Sequence, residues 1–310
     1  MTRIALIRSI LLMTISRYIK FILSFLLAVI LLTGSLYNLT GKPAVWFDEG
    51  IFLHTSRVLA DEGIFGVQIA PKEFIDASVI TVGYPLLAPI ALVTKLFGES
   101  IFNSRMVMVL FILGFALLFF LLTRKLYGTS FAYISTFLLA SFAPLYGVGK
   151  SVIGELPGLF FMTLGLLFLH VLETSKQSYP SKKKYLYALL AGIGFGLAAS
   201  TKQVFLVLAG ALFVGIILRI HFWKLRLYEL LIGAFGFVSA LIVWIHTQFG
   251  GALSISRILE FYANPYVLST DTIVTLIKTN ALRFFTESTP IHFALLLLVG
   301  AIYLFIKLRS

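Results

Sequence analysis

The sequence of 310 residues contains no cysteine, and charged residues make up only 12% of it. Without cysteine there are no disulfides and no thiolate metal ligands, although this absence does not identify a redox compartment. An ordinary soluble domain carries roughly twice this charged fraction. Apolar runs long enough to span a bilayer recur along the chain, so the composition predicts a polytopic helical membrane protein. A transmembrane barrel is disfavoured, because its strands would alternate apolar and polar residues.

Acidic residues are also scarce: 13 stand against 25 basic residues, for a net charge of +12. In a soluble protein this balance would suggest nucleic acid as a partner. Here we interpret the basic residues as topology signals and expect no nucleic acid. The N-terminal stretch "MTRIALIRSILLMTISRYIK" lacks the pattern of a cleaved signal peptide. We predict an interfacial segment over 1–20 that runs into the first span.

The apolar runs predict an all-α bundle of about eight transmembrane helices within one domain, 1–310. The segment 81–97 is apolar but short, with Pro85 and Pro89 in its first half. It is either a ninth span or a re-entrant helix. The predicted spans are 21–39, 101–123, 129–148, 156–173, 185–201, 203–220, 229–248 and 290–307.

The positive-inside rule decides between these two topologies. If the N-terminus is cytoplasmic and 81–97 does not cross, the cytoplasmic side receives 15 of the 25 basic residues and two of the 13 acids, a net of +13. The outside receives the other 10 basic residues and 11 acids, a net of −1, and the two sides sum to +12. A crossing segment would instead place "TRKLYG" and "KQSYPSKKK" outside.

We therefore predict that 81–97 is re-entrant and that both termini are cytoplasmic, in an integral protein of the plasma membrane. Two extracytoplasmic loops are then long, 40–100 and 249–289. We expect interfacial helices in the first loop, where "EGIFLHTSRVLADEG" has helical spacing of its apolar residues. We expect no soluble C-terminal domain.

An acidic pair, Asp48 and Glu49, opens the first of these loops within "AVWFDEGIFLHTSR". One interpretation is a solvated loop cap. The other is catalytic, because the flanking aromatic and aliphatic residues would desolvate the pair, and desolvation favours a carboxylate as general base. Glu155 has two interpretations as well, a site acid or a partner of the helix dipole just before Pro157.

Several basic residues stand at the predicted outer ends of spans, against the topology rule. Each is either an interfacial side chain that snorkels or a ligand of a phosphate group. Lys202, in "GLAASTKQVFL", has no acidic neighbour in sequence. The residues are Arg105, Lys150, Lys202 and Arg283.

The remaining motifs predict structure. "GIGFG" at 192–196 lies within a span, where small residues mark close helix packing. The five histidines show no metal-ligand spacing, so we predict no metal site and expect no cofactor, although a divalent metal stays open. His54 is retained as a site candidate because it lies six residues after Asp48.

The order of several segments resembles the GT-C fold glycosyltransferases over residues 20–220. The closest likeness is to protein O-mannosyltransferases and lipid A aminoarabinose transferases, within glycosyltransferase family 39. The segments are "WFDEGIFLHTSRVLADEGIFG", "VGYPLLAPIALVTKLFGESIFNSRMVMVL", "LLTRKLYG", "GELPGLFFMTLGLLFL" and "GIGFGLAASTKQVFLVLAG".

This resemblance implies an enzyme that transfers a sugar from a polyprenyl-phosphate lipid to a glycan, lipid or protein acceptor on the extracytoplasmic face. Asp48 would be the general base, and Lys202 would contact the carrier phosphate. Tyr84 stands where the family often has proline, and Glu155 where it often has aspartate. The apolar bundle would hold the tail of the donor among membrane lipids, and inversion at the sugar is expected.

Two other functions stay open at this point. A transporter or flippase of lipid-linked glycans would carry charges in mid-span cavities, whereas here the charges collect at span ends. A non-catalytic subunit with the same fold would bind a partner instead of turning over a donor. The small size of the chain relative to the family keeps this third alternative.

Overall fold

The protein is described from a computed structural model, which covers residues 3–174, 181–206 and 227–249 together with the single residues 210, 278, 282 and 298. The chain divides into two compact units, Met1–Ile255 and Ser256–Ser310. Every element described below belongs to the first unit. The predicted loop 249–289 and the predicted span 290–307 lie almost wholly outside the described residues, as does most of 203–220.

The described part is helical except for one small hairpin. The helices are α1 (Arg3–Leu36), α2 (Phe47–Glu62), α3 (Tyr84–Phe97), α4 (Ile101–Tyr127), α5 (Thr129–Ala140), α6 (Ala143–Gly147), α7 (Glu155–Thr174), α8 (Ser181–Thr201) and α9 (Leu227–Gln248). The hairpin pairs β1 (Gly66–Ala70) with β2 (Glu73–Asp76) in antiparallel register and leads into a 3-10 turn over Ala77–Val79.

Four stretches of helix within the described residues are long and apolar enough to cross a membrane: Arg17–Leu36, Ile101–Tyr127, Glu155–Thr174 and Leu227–Gln248. They correspond to four of the predicted spans and confirm a polytopic helical membrane protein. The total of eight spans stays a prediction. The interfacial segment predicted over 1–20 is continuous with the first span, since α1 is one helix from Arg3 to Leu36.

The span predicted over 129–148 is two helices rather than one. α5 ends at Ala140 and α6 begins at Ala143, with Pro144 in its first turn. Proline has no backbone N–H and cannot bond to the carbonyl four residues earlier, which here belongs to Ala140. The hydroxyl of Tyr146 donates to that carbonyl oxygen instead, at 2.7 Å. The sequence prediction overlooked this break because the hydropathy stays high across it.

Glycines set the spacing of α7, α8 and α9, as the "GIGFG" motif predicted. A Cβ atom on Gly196 would lie 2.7 Å from the Cβ of Ala240 in α9. On Gly194 it would lie 2.7 Å from the backbone nitrogen of Gly165 in α7. The small residues therefore let three backbones approach closely, which is how helices associate inside a bilayer.

The loop predicted over 40–100 contains α2, the hairpin and α3. The helical spacing of "EGIFLHTSRVLADEG" is confirmed by α2, which buries Phe52 and Val58. Nothing in the sequence analysis anticipated the hairpin, whose two strands are only five and four residues long. α3 has 14 residues, about 21 Å of helix. A span needs about 20 residues, so α3 is shorter than a usual span, and the re-entrant course of 81–97 stays a prediction.

Contacts between helix ends define one end of the bundle, called here the site end. At this end α1, α8 and α9 finish while α2, α4 and α7 begin. The apolar core continues there from α3 into α4 and α7, with Leu86, Ile90, Met108, Ile112 and Val152 fully buried. The opposite helix ends carry the basic residues predicted to be cytoplasmic, among them Arg124 and Lys125 at the end of α4.

Candidate active site

Glu49 lies in the first turn of α2 and is the hub of the site end. Its side chain is fully buried and forms an ion pair with Arg105 of α4, which is also fully buried. Nε of Arg105 donates to Oε1 at 2.9 Å and Nη2 donates to Oε2 at 2.7 Å. Oε1 also accepts the backbone N–H of Val152 at 3.0 Å. One carboxylate thus joins α2, α4 and the segment that precedes α7.

Asp48, its neighbour, is in the opposite situation. It is exposed at the first turn of α2, and its carboxylate has no hydrogen bond or ion pair to the described part of the chain. The N-terminus of α2 has no side-chain cap, so the backbone N–H groups of its first turn favour a negative charge at this position. The two acids, adjacent in sequence, are therefore separated into one fixed carboxylate and one that faces outward.

Arg105 and Lys150 both hold the chain segment that follows α1. Nη1 of Arg105 donates to the carbonyl of Leu39 at 2.8 Å, and Nζ of Lys150 donates to that of Tyr37 at 2.8 Å. Lys150 is buried, and this burial, together with the charge of Arg105, lowers the pKa of its ammonium group below the ordinary value. Both cations were predicted as phosphate ligands, but Arg105 has no exposed surface, so its placement favours a positioning role.

Glu155 and Lys202 form the second ion pair of the site end. Nζ of Lys202 contacts Oε1 of Glu155, which joins the first residue of α7 to the residue that follows α8. The side chain of Glu155 is 47% exposed and that of Lys202 is 27% exposed, so both reach the surface. Oε2 of Glu155 is buried and has no hydrogen-bond partner among the described residues. The pair therefore retains an unused acceptor beside an accessible cation.

Backbone contacts place the start of α3 beside Lys202. Val82 forms an isolated antiparallel bridge with Lys202, and the N–H of Gly83 donates to the carbonyl of Thr201 at 3.1 Å. A Cβ on Gly83 would lie 2.7 Å from Cδ1 of Trp244 and closer still to the carbonyl of Ser200, so only glycine fits there. The hydroxyl of Tyr84 donates to the carbonyl of Ala240 at 3.4 Å, which ties α3 to α9.

These contacts connect the predicted site residues into one continuous set. Asp48 precedes Glu49, whose carboxylate binds the backbone of Val152, and three residues later Glu155 binds Lys202. His54 lies apart from this set: its Nε2 accepts the N–H of Gln68 at 3.2 Å and so joins α2 to β1. An open groove between α1 and α5 includes none of these residues.

Two glutamines of the site end were missed by the sequence analysis. Gln248, at the end of α9, is fully buried, and its Nε2 donates to the carbonyls of Ala77 and, at 2.8 Å, Ile80. It fixes the segment that leads into Val82. Gln203 follows Lys202, and its buried side-chain nitrogen has no partner within the described residues. Neither belongs to a recognisable motif. Their positions in the site end are seen only in the folded structure, where segments far apart in sequence come together.

No group of three or more histidine or acidic side chains that could hold a metal ion occurs within 3–174, 181–206 and 227–249. The described site therefore offers one free carboxylate, one ion pair with a spare acceptor, and a positively charged interior. In such a set Asp48 can accept a proton from the hydroxyl of an acceptor molecule, and Lys202 can bind an anion.

Two solved structures resemble the chain, both of ArnT from Cupriavidus metallidurans. The one bound to undecaprenyl phosphate has 16% identity and a TM-score of 0.62, over 78% of this chain and 44% of that one. The apo state has 18% identity and a TM-score of 0.58, over 81% and 45%. The chain thus spans less than half the length of the ArnT chains. No sequence among curated proteins matches it.

The arrangement of helices is that of a GT-C glycosyltransferase, a class of integral membrane proteins, as the resemblance predicted. Residues 25–264 match the model of the family described as dolichyl-phosphate-mannose-protein mannosyltransferase, and the chain belongs to that family.

Proposed function

We propose that this protein is a membrane glycosyltransferase that moves a sugar from a polyprenyl-phosphate carrier to an acceptor hydroxyl on the extracytoplasmic face. The family membership and the fold support the class of reaction and the class of donor. The observation that carries the proposal for this protein is the series of contacts that leads from α2 through Val152 to Glu155 and Lys202. It brings an unpaired acid and an accessible cation to the same end of the bundle.

Asp48 acts as the general base. It takes the proton of the acceptor hydroxyl as the oxygen forms a bond to C1 of the sugar. The bond between C1 and the carrier phosphate breaks, and the electron pair leaves with the phosphate. Because one displacement occurs at C1, its configuration is inverted. The desolvation of Asp48 that its apolar neighbours in sequence predicted is wrong, because the side chain is exposed. Its access to an acceptor hydroxyl, and its lack of a partner among the described residues, support this role instead.

Lys202 binds the carrier phosphate and offsets the negative charge that grows on it as the sugar leaves. Glu155 orients the ammonium group of Lys202 through Oε1. The buried Oε2 of Glu155 and the buried side-chain nitrogen of Gln203 have no hydrogen-bond partner in the part of the chain that the structure describes. A sugar hydroxyl could donate to the first and accept from the second, which would repay the cost of their desolvation.

Glu49, Arg105 and Lys150 are positioning residues in this proposal. Their buried charges hold the start of α2 and the segment before α7, so that Asp48 and Glu155 keep a fixed separation. None of the three needs to touch substrate. Tyr84 and His54 act in the same way, through their contacts to Ala240 and Gln68.

The test measures release of undecaprenyl phosphate from undecaprenyl-phosphate mannose by the purified, reconstituted chain. We expect Asp48→Asn to lower the rate by about 10²–10⁴-fold, because the base is lost. Asp61→Asn, an exposed acid at the other end of the same helix, is the matched control and should retain full activity. Full activity of the Asp48→Asn protein would remove Asp48 as the base.

The same preparation separates the alternative functions. A wild-type chain that moves the lipid across the bilayer without releasing its sugar would support the transporter. A chain that turns over only when a second protein is added would support a non-catalytic subunit. Anomeric analysis of the product by nuclear magnetic resonance tests inversion directly.

A further inference from the structure

An open groove separates α1 from α5 on the outer surface of the bundle. Its volume is about 1130 Å³. Its walls are mainly apolar side chains, and several of them are exposed. The lining includes Lys20, Ile30, Thr129, Ser130, Tyr133 and Ile134. The proposed reaction uses none of them.

Most polar groups of the groove collect where α5 begins: Lys20, Thr129 and Ser130 lie at this end, and Ser141 lies at the other. The described residues that line the groove include no acidic side chain. Lys20 is exposed and forms no ion pair with the described residues. Tyr133 fixes the position of α1 relative to α5 along the helix axes. Its hydroxyl forms a hydrogen bond with the hydroxyl of Ser24 at 2.7 Å and donates to the carbonyl of Lys20 at 3.1 Å.

The groove has the length of one leaflet. From Lys20 to Ile30 α1 rises about 15 Å, at about 1.5 Å per residue. Half of a hydrocarbon core of about 30 Å is the same distance. The polar end lies on the side of the bundle where α4 ends with Arg124 and Lys125, one turn before Thr129. The cations are therefore at headgroup level, and the apolar walls extend toward the middle of the bilayer.

We propose that this groove binds an anionic glycerophospholipid of the leaflet at the basic end of the bundle. Lys20 pairs with the lipid phosphate, the hydroxyls of Thr129 and Ser130 donate to its oxygens, and one acyl chain lies between α1 and α5. The charge complementarity selects an anionic headgroup over a zwitterionic one. This site is distinct from the proposed donor site, which is built at the opposite ends of α4 and α8.

The test uses the purified full chain in neutral detergent and counts retained lipids by native mass spectrometry. Phosphatidylglycerol and phosphatidylcholine with identical acyl chains are the two probes. We expect the wild-type chain to prefer phosphatidylglycerol about fivefold, the factor that one basic side chain near a charged headgroup supplies. Lys20→Gln should abolish this preference. Lys182→Gln is the matched control, since Lys182 is exposed at the same end of the bundle but on α8.

A second variant tests the apolar wall. Ile134→Trp fills the groove and should reduce retention of both lipids, while a size-exclusion profile equal to that of wild type shows that the fold persists. Equal retention of the two lipids by wild type, or an unchanged preference in Lys20→Gln, would overturn the proposal. So would a dimer that Ile134→Trp dissociates, because the groove would then hold a second copy of the chain.

Discussion

Both oxygens of Glu49 accept hydrogen bonds from Arg105, 56 residues later in the chain, and neither side chain is exposed. A buried ion pair of this kind is costly to break from one side, because the remaining charge has no water and no partner. We therefore expect Arg105→Ala to destabilise the protein by about 3–5 kcal/mol.

Thermal unfolding in detergent, followed by intrinsic fluorescence, measures this loss. The double variant Glu49→Gln with Arg105→Gln should be more stable than either single charge removal, because it leaves no unpaired charge. A double variant as unstable as the Arg105→Ala protein would show that packing, rather than charge, determines the effect.

The Glu155–Lys202 pair should behave in the opposite way. It is partly exposed, and exposed pairs contribute at most about 1 kcal/mol. We expect Lys202→Met to unfold within a few degrees of wild type but to raise the KM for the lipid donor at least tenfold, since the phosphate loses its cation. Steady-state kinetics in reconstituted vesicles measure both constants. Lys95→Met, an exposed lysine at the end of α3, is the control.

Lys150 makes stability depend on pH in the alkaline range. Its pKa is lowered in the folded protein below the ordinary value of 10.5, by burial first and by the charge of Arg105 second. Between the lowered pKa and 10.5 the unfolded chain binds more protons than the folded one, so stability rises with pH across this window. Below the lowered pKa the penalty is constant. Apparent melting temperatures across the alkaline range should therefore rise less in Lys150→Met than in wild type.

Lys95→Met serves again as the comparison, because its side chain is exposed. It should reproduce the wild-type pH profile. If the Lys150→Met and wild-type profiles coincide, the buried ammonium does not titrate in this window.

Two glycines at the interface between α8 and α9 should differ in how well they tolerate substitution by alanine. A Cβ on Gly192 would overlap the backbone of Gly233, whereas a Cβ on Gly233 would meet the carbonyl of Ala188 at an ordinary 3.4 Å. We expect Gly192→Ala to cost about 1–3 kcal/mol, because α8 and α9 must separate. Gly233→Ala should be near neutral. Melting temperatures of the two variants check the difference, and equal losses would contradict the proposed contact.

The sequence predicted much of the fold because hydropathy and local signals specify it. The helical spacing of α2, the apolar runs of α4, α7 and α9, and the packing glycines of "GIGFG" all follow from residues close in sequence. The break between α5 and α6 was also within reach, since Pro144 alone explains it. Hydropathy averaging concealed it.

Most of the site could not be predicted in this way, because its contacts join distant residues. Residue type and spacing do not separate the roles of Asp48 and Glu49, and in the sequence only the family resemblance singles out Asp48. Only the position of Arg105 and of the Val152 backbone shows that Glu49 is fixed inside while Asp48 faces outward. The role of Gln248 could not be predicted for the same reason, because its hydrogen-bond partners lie 168 and 171 residues earlier in the sequence.

The hydrogen bond from Val152 to Glu49 also sets an order of events during synthesis. Glu49 reaches the membrane first, Arg105 follows, and Val152 emerges 103 residues after Glu49. Until Arg105 arrives, the carboxylate must stay in water, because an unpaired charge is not stable in an apolar interior. The start of α2 thus acquires its final position only when about half of the chain has been made. A truncated chain that stops before Val152 would contain Asp48 but would lack the hydrogen bond from Val152 to Glu49 that holds the start of α2.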